Sequence, residues 1–330
     1  MNKIYIRSED IANEFRVPLI PSDVNILIQR GFQVYVQRSE NRIYKDSEYS
    51  KAGAILTTEE WHHHTYKDFL IVGLKEFDVS YLNHHTHIYF SHSFKGQANS
   101  LAILNAFKHS NSKLYDFEFF VNNNKRILAF GIYAGQVGCA LGLLQAYNKL
   151  KNHSLGQLKP WSSYTEMCSL LTSTSLRIAI IGANGRCGMG VKKVLNDISA
   201  PFTEFCRESD YTSLIEYDII FNCIVLDESY NKIWFDKNTI FTKPTIIVDI
   251  SCDYSKPNNP IQLYEKATTW DDPVFHYNEN VDIIAIDNLP SLLPRESSDN
   301  FSATFRELLE YPSNVWTKAL EVFRTTLKAC

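Results

Sequence analysis

Leu176-Arg-Ile-Ala-Ile-Ile-Gly182-Ala-Asn-Gly185-Arg-Cys-Gly188-Met-Gly190 decides the fold. The apolar run Ile178–Ile181 predicts a buried parallel strand, and Val191, Val194 and Leu195 continue in helical register. Gly182, Gly185 and Gly188 follow the strand with the spacing G-x-x-G-x-x-G, one residue longer than the commonest dinucleotide fingerprint. The first permits the tight turn. The others let the backbone approach a pyrophosphate and let the helix pack on its strand. The phosphates of such a ligand rest on the unpaired N–H groups of the helix N-terminus.

Outward from this motif the chain reads as two α/β units. The second covers about 176–288, with strands at Ile178–Ile181, Phe202–Cys206, Ile219–Cys223, Thr245–Asp249 and Val281–Ile286. The first alternates strands and helices: Lys3–Arg7, helix Pro21–Arg30 with Ser22 as N-cap, Phe32–Gln37, Phe69–Gly73, His87–Phe90, helix Gln97–Phe107, and Lys113–Asp116. Ile127–Tyr133 reads as a further strand-like run and Ala134–Leu150 as a helix. Residues 289–294 break regular structure, and 301–310 and 313–329 are helical. The expected fold class is α/β, two Rossmann-like doubly wound domains with a cleft between them. The expected division is 1–133 plus 312–330 as the substrate and catalytic domain. Residues 134–311 form the dinucleotide-binding domain, with 134–175 as its connecting helix and linker.

Composition narrows the function. The 330 residues are 45% hydrophobic and 21% charged, with a formal net charge of −4. That balance gives no electrostatic reason for a nucleic-acid or anionic-membrane partner. No stretch reaches the roughly 18 apolar residues of a membrane span. The N-terminus begins as a strand rather than a signal peptide, so a cytoplasmic location is expected. The seven cysteines are scattered singly, without zinc spacing, and a bridge among Cys187, Cys223 and Cys252 stays open. The runs His62-His63-His64 and His84-His85-x-His87 lie in polar segments without carboxylate or cysteine partners at ligand spacing. Solvated histidines and no metal are expected there.

Polar groups recur after strands of the first unit: Glu14 and Arg16; Lys75 and Glu76; His92, Lys95 and Gln97. In a parallel sheet these ends share one edge, where ligands bind. Cations, carboxylates and an imidazole together suit a substrate with carboxylates and a transferable proton. Glu118 and Arg126 follow, the arginine suited to bidentate capture of a carboxylate.

Taken together, the motifs resemble saccharopine dehydrogenase of the lysine-forming type, a family grouped with alanine dehydrogenase and transhydrogenase. The resemblance rests on Glu14-Phe-Arg16, Gly73-Leu-Lys75-Glu76, His87-Ile-Tyr-Phe-Ser-His92-Ser-Phe-Lys95-Gly-Gln97, Leu114-Tyr-Asp-Phe-Glu118-Phe, Ala129-Phe-Gly-Ile-Tyr-Ala-Gly135 and the glycine turn. It continues in Val248-Asp-Ile-Ser-Cys-Asp253, Asn259-Pro260 and Ile286-Asp287-Asn288-Leu-Pro-Ser-Leu-Leu-Pro-Arg-Glu296, in order over nearly the whole chain. It implies reversible oxidative deamination of saccharopine to L-lysine and 2-oxoglutarate, a reaction of lysine biosynthesis, by a monomer. Lys75 would be the acid–base group on the substrate nitrogen, and His92 would handle protons of the attacking water. Substrate would meet Glu14, Arg16, Glu76, Lys95, Gln97, Glu118, Arg126 and Phe130. Cofactor would meet Gly182, Asn184, Gly185, Arg186, Cys187, Gly188, Cys206, Arg207, Ser251, Asp287 and Leu289.

Three positions depart from the family. Cys206, followed by Arg207, stands where the family carries an acidic residue for the adenine ribose. An arginine without that carboxylate is the pattern of an NADP site, although Glu204 or Glu208 serves if the register shifts. NAD is narrowly favoured over NADP. Ile11 replaces a lysine and Asn288 a histidine, which leaves open an opine-type or alanine-type dehydrogenase acting on another amine. A catalytically silent nucleotide sensor is the reading outside enzymes.

Overall fold

The computed structural model describes residues 2–94, 99–123, 125–227, 229–311 and 313–329. The chain divides into two compact units, Met1–Ala129 with Pro294–Cys330, and Phe130–Leu293. The first begins with β1 (Lys3–Ile6), α1 (Pro21–Gln29), β2 (Gln33–Gln37), α2 (Asp46–Lys51), β3 (Ile55–Thr57), β4 (Leu70–Val72), β5 (Thr86–Tyr89), α3 (Ser100–His109) and β6 (Lys113–Asp116). A short antiparallel hairpin, β7 (Val121–Asn122) and β8 (Lys125–Arg126), follows. Strands β1 to β6 form a wholly parallel sheet in the order β3-β2-β1-β4-β5-β6. Ile4, Tyr5 and Ile6 of β1 and Leu70, Ile71 and Val72 of β4 are buried. Continuous apolar runs of this kind belong to strands covered on both faces.

The second unit opens with α4 (Gly131–Lys149) and α5 (Tyr164–Ser169), then β9 (Ile178–Ile181), α6 (Arg186–Asp197), β10 (Thr203–Phe205), β11 (Ile219–Asn222), β12 (Thr245–Asp249), β13 (Phe275–His276) and β14 (Val281–Ile284). Its sheet runs β10-β9-β11-β12-β14-β13, parallel except for the last pair. Among the parallel strands of each sheet the order reverses once along the chain, between β1 and β4 and between β9 and β11. Those reversals are where such sheets bind ligands. Among the described residues no helix is long and apolar enough to cross a membrane.

Helices α7 (Pro294–Glu310) and α8 (Asn314–Ala329) return to the first unit. Residues 294–311 were expected with the dinucleotide domain, and here the expectation is corrected. Ser298 Oγ accepts from the Val17 N–H at 3.0 Å and Ser302 Oγ from the Ile20 N–H at 2.8 Å, while Arg306 pairs with Asp23 at 2.9 Å. Serines on one face of α7 thus satisfy backbone at the start of α1. Three local readings also change. Residues 127–130 are not a strand, and α4 starts at Gly131. Ser22 is not a cap, because Pro21 takes the first turn and Ile20 the cap position. Helix α7 begins seven residues earlier than expected.

The histidine run after residue 84 does not lie in solvent. His85 and His87 are each 1% exposed, His87 because β5 is an interior strand and His85 because it enters that strand beneath Trp61. Phe77 stacks on His87 with centroids 4.4 Å apart, and Trp61 meets His85 and His87 edge-on at 5.2 and 4.7 Å. Burial, with the charges of Arg7 and His85 adding to it, holds His87 well below the ordinary imidazole value. Burial likewise pushes His85 down to about 4. The unfolded chain takes up these protons near about pH 6.5, so below that pH it binds more protons than the folded chain. Stability is therefore complete above about pH 6.5 and is lost on acidification, by about 1.4 kcal/mol per pH unit for His87. Urea unfolding between about pH 7 and 5 should show a shallower acid loss in His87→Phe than in wild type. Equal slopes would show that His87 protonates as readily folded as unfolded.

Candidate active site and dinucleotide site

The first unit gathers charge where β1 and β4 diverge. Arg7 and Glu9 follow β1 as a buried ion pair, Nη1 to Oε2 3.3 Å. Glu9 accepts the N–H groups of Leu74 at 2.6 Å and Lys75 at 3.0 Å, and Arg7 donates to the Lys75 carbonyl. The backbone of Lys75 is thus held from both sides, one residue beyond Gly73-Leu74. Gly73 makes room for this: a methyl there would overlap the Arg7 guanidinium. The Lys75 side chain is half-buried and Glu76 is exposed.

Glu14 and Arg16 form a second buried pair. Arg16 donates through Nε to Oε1 at 2.7 Å and through Nη2 to Oε2 at 2.5 Å. Burial alone would raise the Glu14 carboxyl, but the charge and hydrogen bonds of Arg16 and the charge of Lys75 outweigh it and hold Glu14 ionised below its ordinary range. Lys75, Glu14 and Arg16 therefore belong to one electrostatic cluster at the sheet edge.

His92 sits on the loop after β5 in the left-handed region, with φ +49°. A non-glycine residue holds that conformation when its surroundings fix it. Ser91 on one side donates its N–H at 3.1 Å and its hydroxyl at 2.6 Å to Asp116, and Ser93 on the other bonds back to the Ser91 carbonyl at 2.9 Å. The other Asp116 oxygen accepts the Glu118 N–H at 2.8 Å. One buried carboxylate at the end of β6 so braces both the His92 loop and the Glu118 turn. Glu118 pairs with Arg126 at 2.8 Å, which ties β8 to that turn. Lys95 and Gln97 lie outside the described residues. Arg7 and Glu9 were passed over in the sequence for the later Glu14 and Arg16. The signal was present: they are the first charges after an apolar strand.

In the second unit Gly182 ends β9 with φ +81°, and the Gly185 N–H closes the turn onto the Gly182 carbonyl at 3.0 Å. Gly185 caps α6, whose first helical residues are Arg186, Cys187 and Gly188. A methyl on Gly188 would strike the Gly182 carbonyl and Ala183. Asn184 and Gly185 are exposed beside the start of α6. A cavity of about 280 Å³ opens here, lined by Gly182, Gly185, Phe205, Cys206, Arg207 and Asp227 among others. Bare glycine backbone, an open helix N-terminus and a cavity running to the end of β10 fit a dinucleotide. On its rim Arg207 Nη1 lies 3.6 Å from Asp227 and Nη2 donates to Ser229 at 3.1 Å. Ser251 donates to the Ile224 carbonyl, tying the loop after β12 to the loop after β11. Asp287 is exposed after β14, Leu289 is buried, and Phe130 immediately precedes α4. Cysteines 139, 168, 187, 206, 223 and 252 are free thiols, and burial pushes Cys187 up to about 11.

These features agree with what the chain is similar to. Residues 5–137 match the family described as alanine dehydrogenase/PNT, N-terminal domain. Saccharopine dehydrogenase (NAD(+), L-lysine-forming) of Schizosaccharomyces pombe is 33% identical, over 98% of this chain and 98% of that protein. The Candida glabrata protein of the same name is 33% identical over 97% of this chain and 95% of its own. Among solved structures, L-alanine dehydrogenase superposes with a TM-score of 0.74 at 16% identity, covering 97% of this chain and 93% of that one. The transhydrogenase from Sinorhizobium meliloti gives 0.67 at 16% identity, covering 93% and 92%. The structures establish the shared fold, and similarity along nearly the full length of both chains establishes more: this chain belongs to the saccharopine dehydrogenase (NAD(+), L-lysine-forming) family.

Proposed function

We propose that this protein catalyses the NAD-dependent, reversible oxidative deamination of saccharopine to L-lysine and 2-oxoglutarate. The observation that carries this reading is the end-to-end similarity to proteins named for that reaction. The cluster of Lys75, Glu14 and Arg16, the imidazole of His92 on the neighbouring loop and the glycine turn of the second unit supply the chemistry it needs.

When bound, the nicotinamide supplies a two-electron acceptor for the C–H beside the secondary amine. Lys75 takes the proton from that nitrogen as the C=N bond forms. His92 accepts a proton from the water that adds to the imine carbon. Lys75 then returns its proton to the nitrogen and passes it the proton of the new hydroxyl as the C–N bond breaks, leaving a ketone and lysine, while the water proton held by His92 goes to solvent. A proton acceptor on nitrogen and a second group for water are what this sequence of steps requires. Arg16 binds a substrate carboxylate, and Glu14 serves to orient that guanidinium by its two-point contact. Arg126, set by Glu118, holds a second carboxylate, with Glu76 toward the amine end. Gly182, Asn184, Gly185, Arg186 and Gly188 cradle the pyrophosphate.

We further assign it to the cytoplasm as a monomer acting on small molecules. A net charge of −4 supports the absence of a nucleic-acid or anionic-membrane partner. The direct test is absorbance at 340 nm with L-lysine, 2-oxoglutarate and NADH. Loss of absorbance that needs both substrates is the expected outcome. No oxidation with this pair, set against oxidation with another amine and keto acid, would reassign the substrate.

A further inference from the structure

Dinucleotide sites of this fold choose between a ribose 2′-hydroxyl and a 2′-phosphate at the end of the second strand, where a carboxylate accepts the ribose hydroxyls. In this chain that position, after β10, is the exposed thiol of Cys206, followed by Arg207. Glu204 is engaged with Lys192 at 3.1 Å, and Glu208 is not among the residues lining the cavity. The strand end alone therefore has the character of a 2′-phosphate site.

A second element lining the cavity changes this. Asp227, on the loop after β11, is the carboxylate among its described lining residues. One oxygen of Asp227 accepts the Ser229 N–H at 2.9 Å, and the other faces Arg207 at 3.6 Å. The loop is anchored at Ile224 and Asp227. The Ile224 N–H bonds to the Asn222 side chain at 3.2 Å, Ser251 holds the Ile224 carbonyl, and Asn258 donates to the Asp227 carbonyl at 2.9 Å. Two residues before Asp227, Val225 is 91% exposed on the same loop, an apolar surface left bare beside the carboxylate. An adenine ring with its ribose presents that pairing of chemistries, an apolar face next to two hydroxyl donors.

We infer that Asp227 takes over the ribose-binding role that the end of β10 lacks, and that it sets the preference for NAD over NADP. The inference rests on the dehydrogenase reading above. Its carboxylate accepts from the ribose hydroxyls and repels a 2′-phosphate. Its partner Arg207, drawn to Asp227 and Ser229, has its charge offset instead of being presented to that phosphate. Both side chains of this pair are more than half exposed, so it matters for where charge stands and little for stability.

The test is fluorescence titration of the full-length protein with NADH and with NADPH, read as dissociation constants without any turnover. Wild type is expected to bind NADH the more tightly. Asp227→Asn should weaken NADH by about tenfold, the loss of one charge-assisted hydrogen bond, and should tighten NADPH. Adding Cys206→Asp to Asp227→Asn should recover NADH affinity. An unchanged NADPH:NADH ratio in Asp227→Asn overturns the inference and leaves the dehydrogenase reading intact. A wild type that prefers NADPH overturns it as well. A wild type that binds neither dinucleotide removes the reading itself, and the inference with it.

Discussion

Lys75→Met is expected to lower turnover by about 10²-fold or more, the size of a lost general acid–base contribution. NADH affinity should stay near wild type, because the dinucleotide residues belong to the other unit. The fold should also survive. The Arg7 and Glu9 contacts reach the Lys75 backbone, which methionine keeps, and the side chain is only half-buried. Steady-state rates at 340 nm, with dissociation constants from fluorescence, separate these effects. Unchanged turnover would remove Lys75 from the chemistry and move attention to His92. A parallel loss of NADH binding would make the residue structural.

Gly135→Ala is expected to destabilise the second unit by about 3 kcal/mol, at the upper end for overpacking. Helix α4 carries Gly131, Gly135, Gly138 and Gly142 at helical spacing. A methyl on Gly135 would overlap the Cys187 carbonyl of α6, and one on Gly190 of α6 would overlap the Ile132 carbonyl of α4. Both collisions are with backbone, so no rotamer change relieves them. Gly138 and Gly142 bring the same helix down onto Ile250, Val248 and Phe221. Gly156→Ala is the control, with open space where its methyl would sit. Urea midpoints should fall for the first variant and stay unchanged for the second. Equal midpoints would show that α4 and α6 can part at little cost.

Much of this was legible beforehand, for identifiable reasons. The buried strands β1, β4, β9, β11 and β12 are continuous apolar runs, and the glycine turn announces itself by spacing. What stayed hidden depends on partners distant in sequence. The membership of α7 is set by Ser298, Ser302 and Arg306 meeting residues 17 to 23, which no local pattern encodes. The helix at Ala134–Leu150 is legible, but not the role of its glycines, whose backbone neighbours in α6 lie about fifty residues on. β3 and β13 are too short to show a period. At the candidate site, Lys75, His92, Glu14 and Arg16 were named from position after strands. The supporting roles of Arg7, Glu9 and Asp116 run through backbone groups of residues distant in sequence, which the sequence does not display. Arg207 was read without its partner because Asp227 lies twenty residues on, across the β11 strand.

The return of α7 and α8 has a consequence for the order in which this protein is made. Residues 130–293 are contiguous, so every strand of the second sheet has left the ribosome before the first unit is complete. The first sheet is synthesised earlier, yet Val17, Ile20 and Asp23 wait for side chains more than 270 residues downstream, and Phe107 waits for Phe323. Domains made on the ribosome ordinarily mature from the N-terminus. Here the later-made domain can finish first, and the nascent N-terminal half stands with an uncovered apolar flank until α7 and α8 emerge.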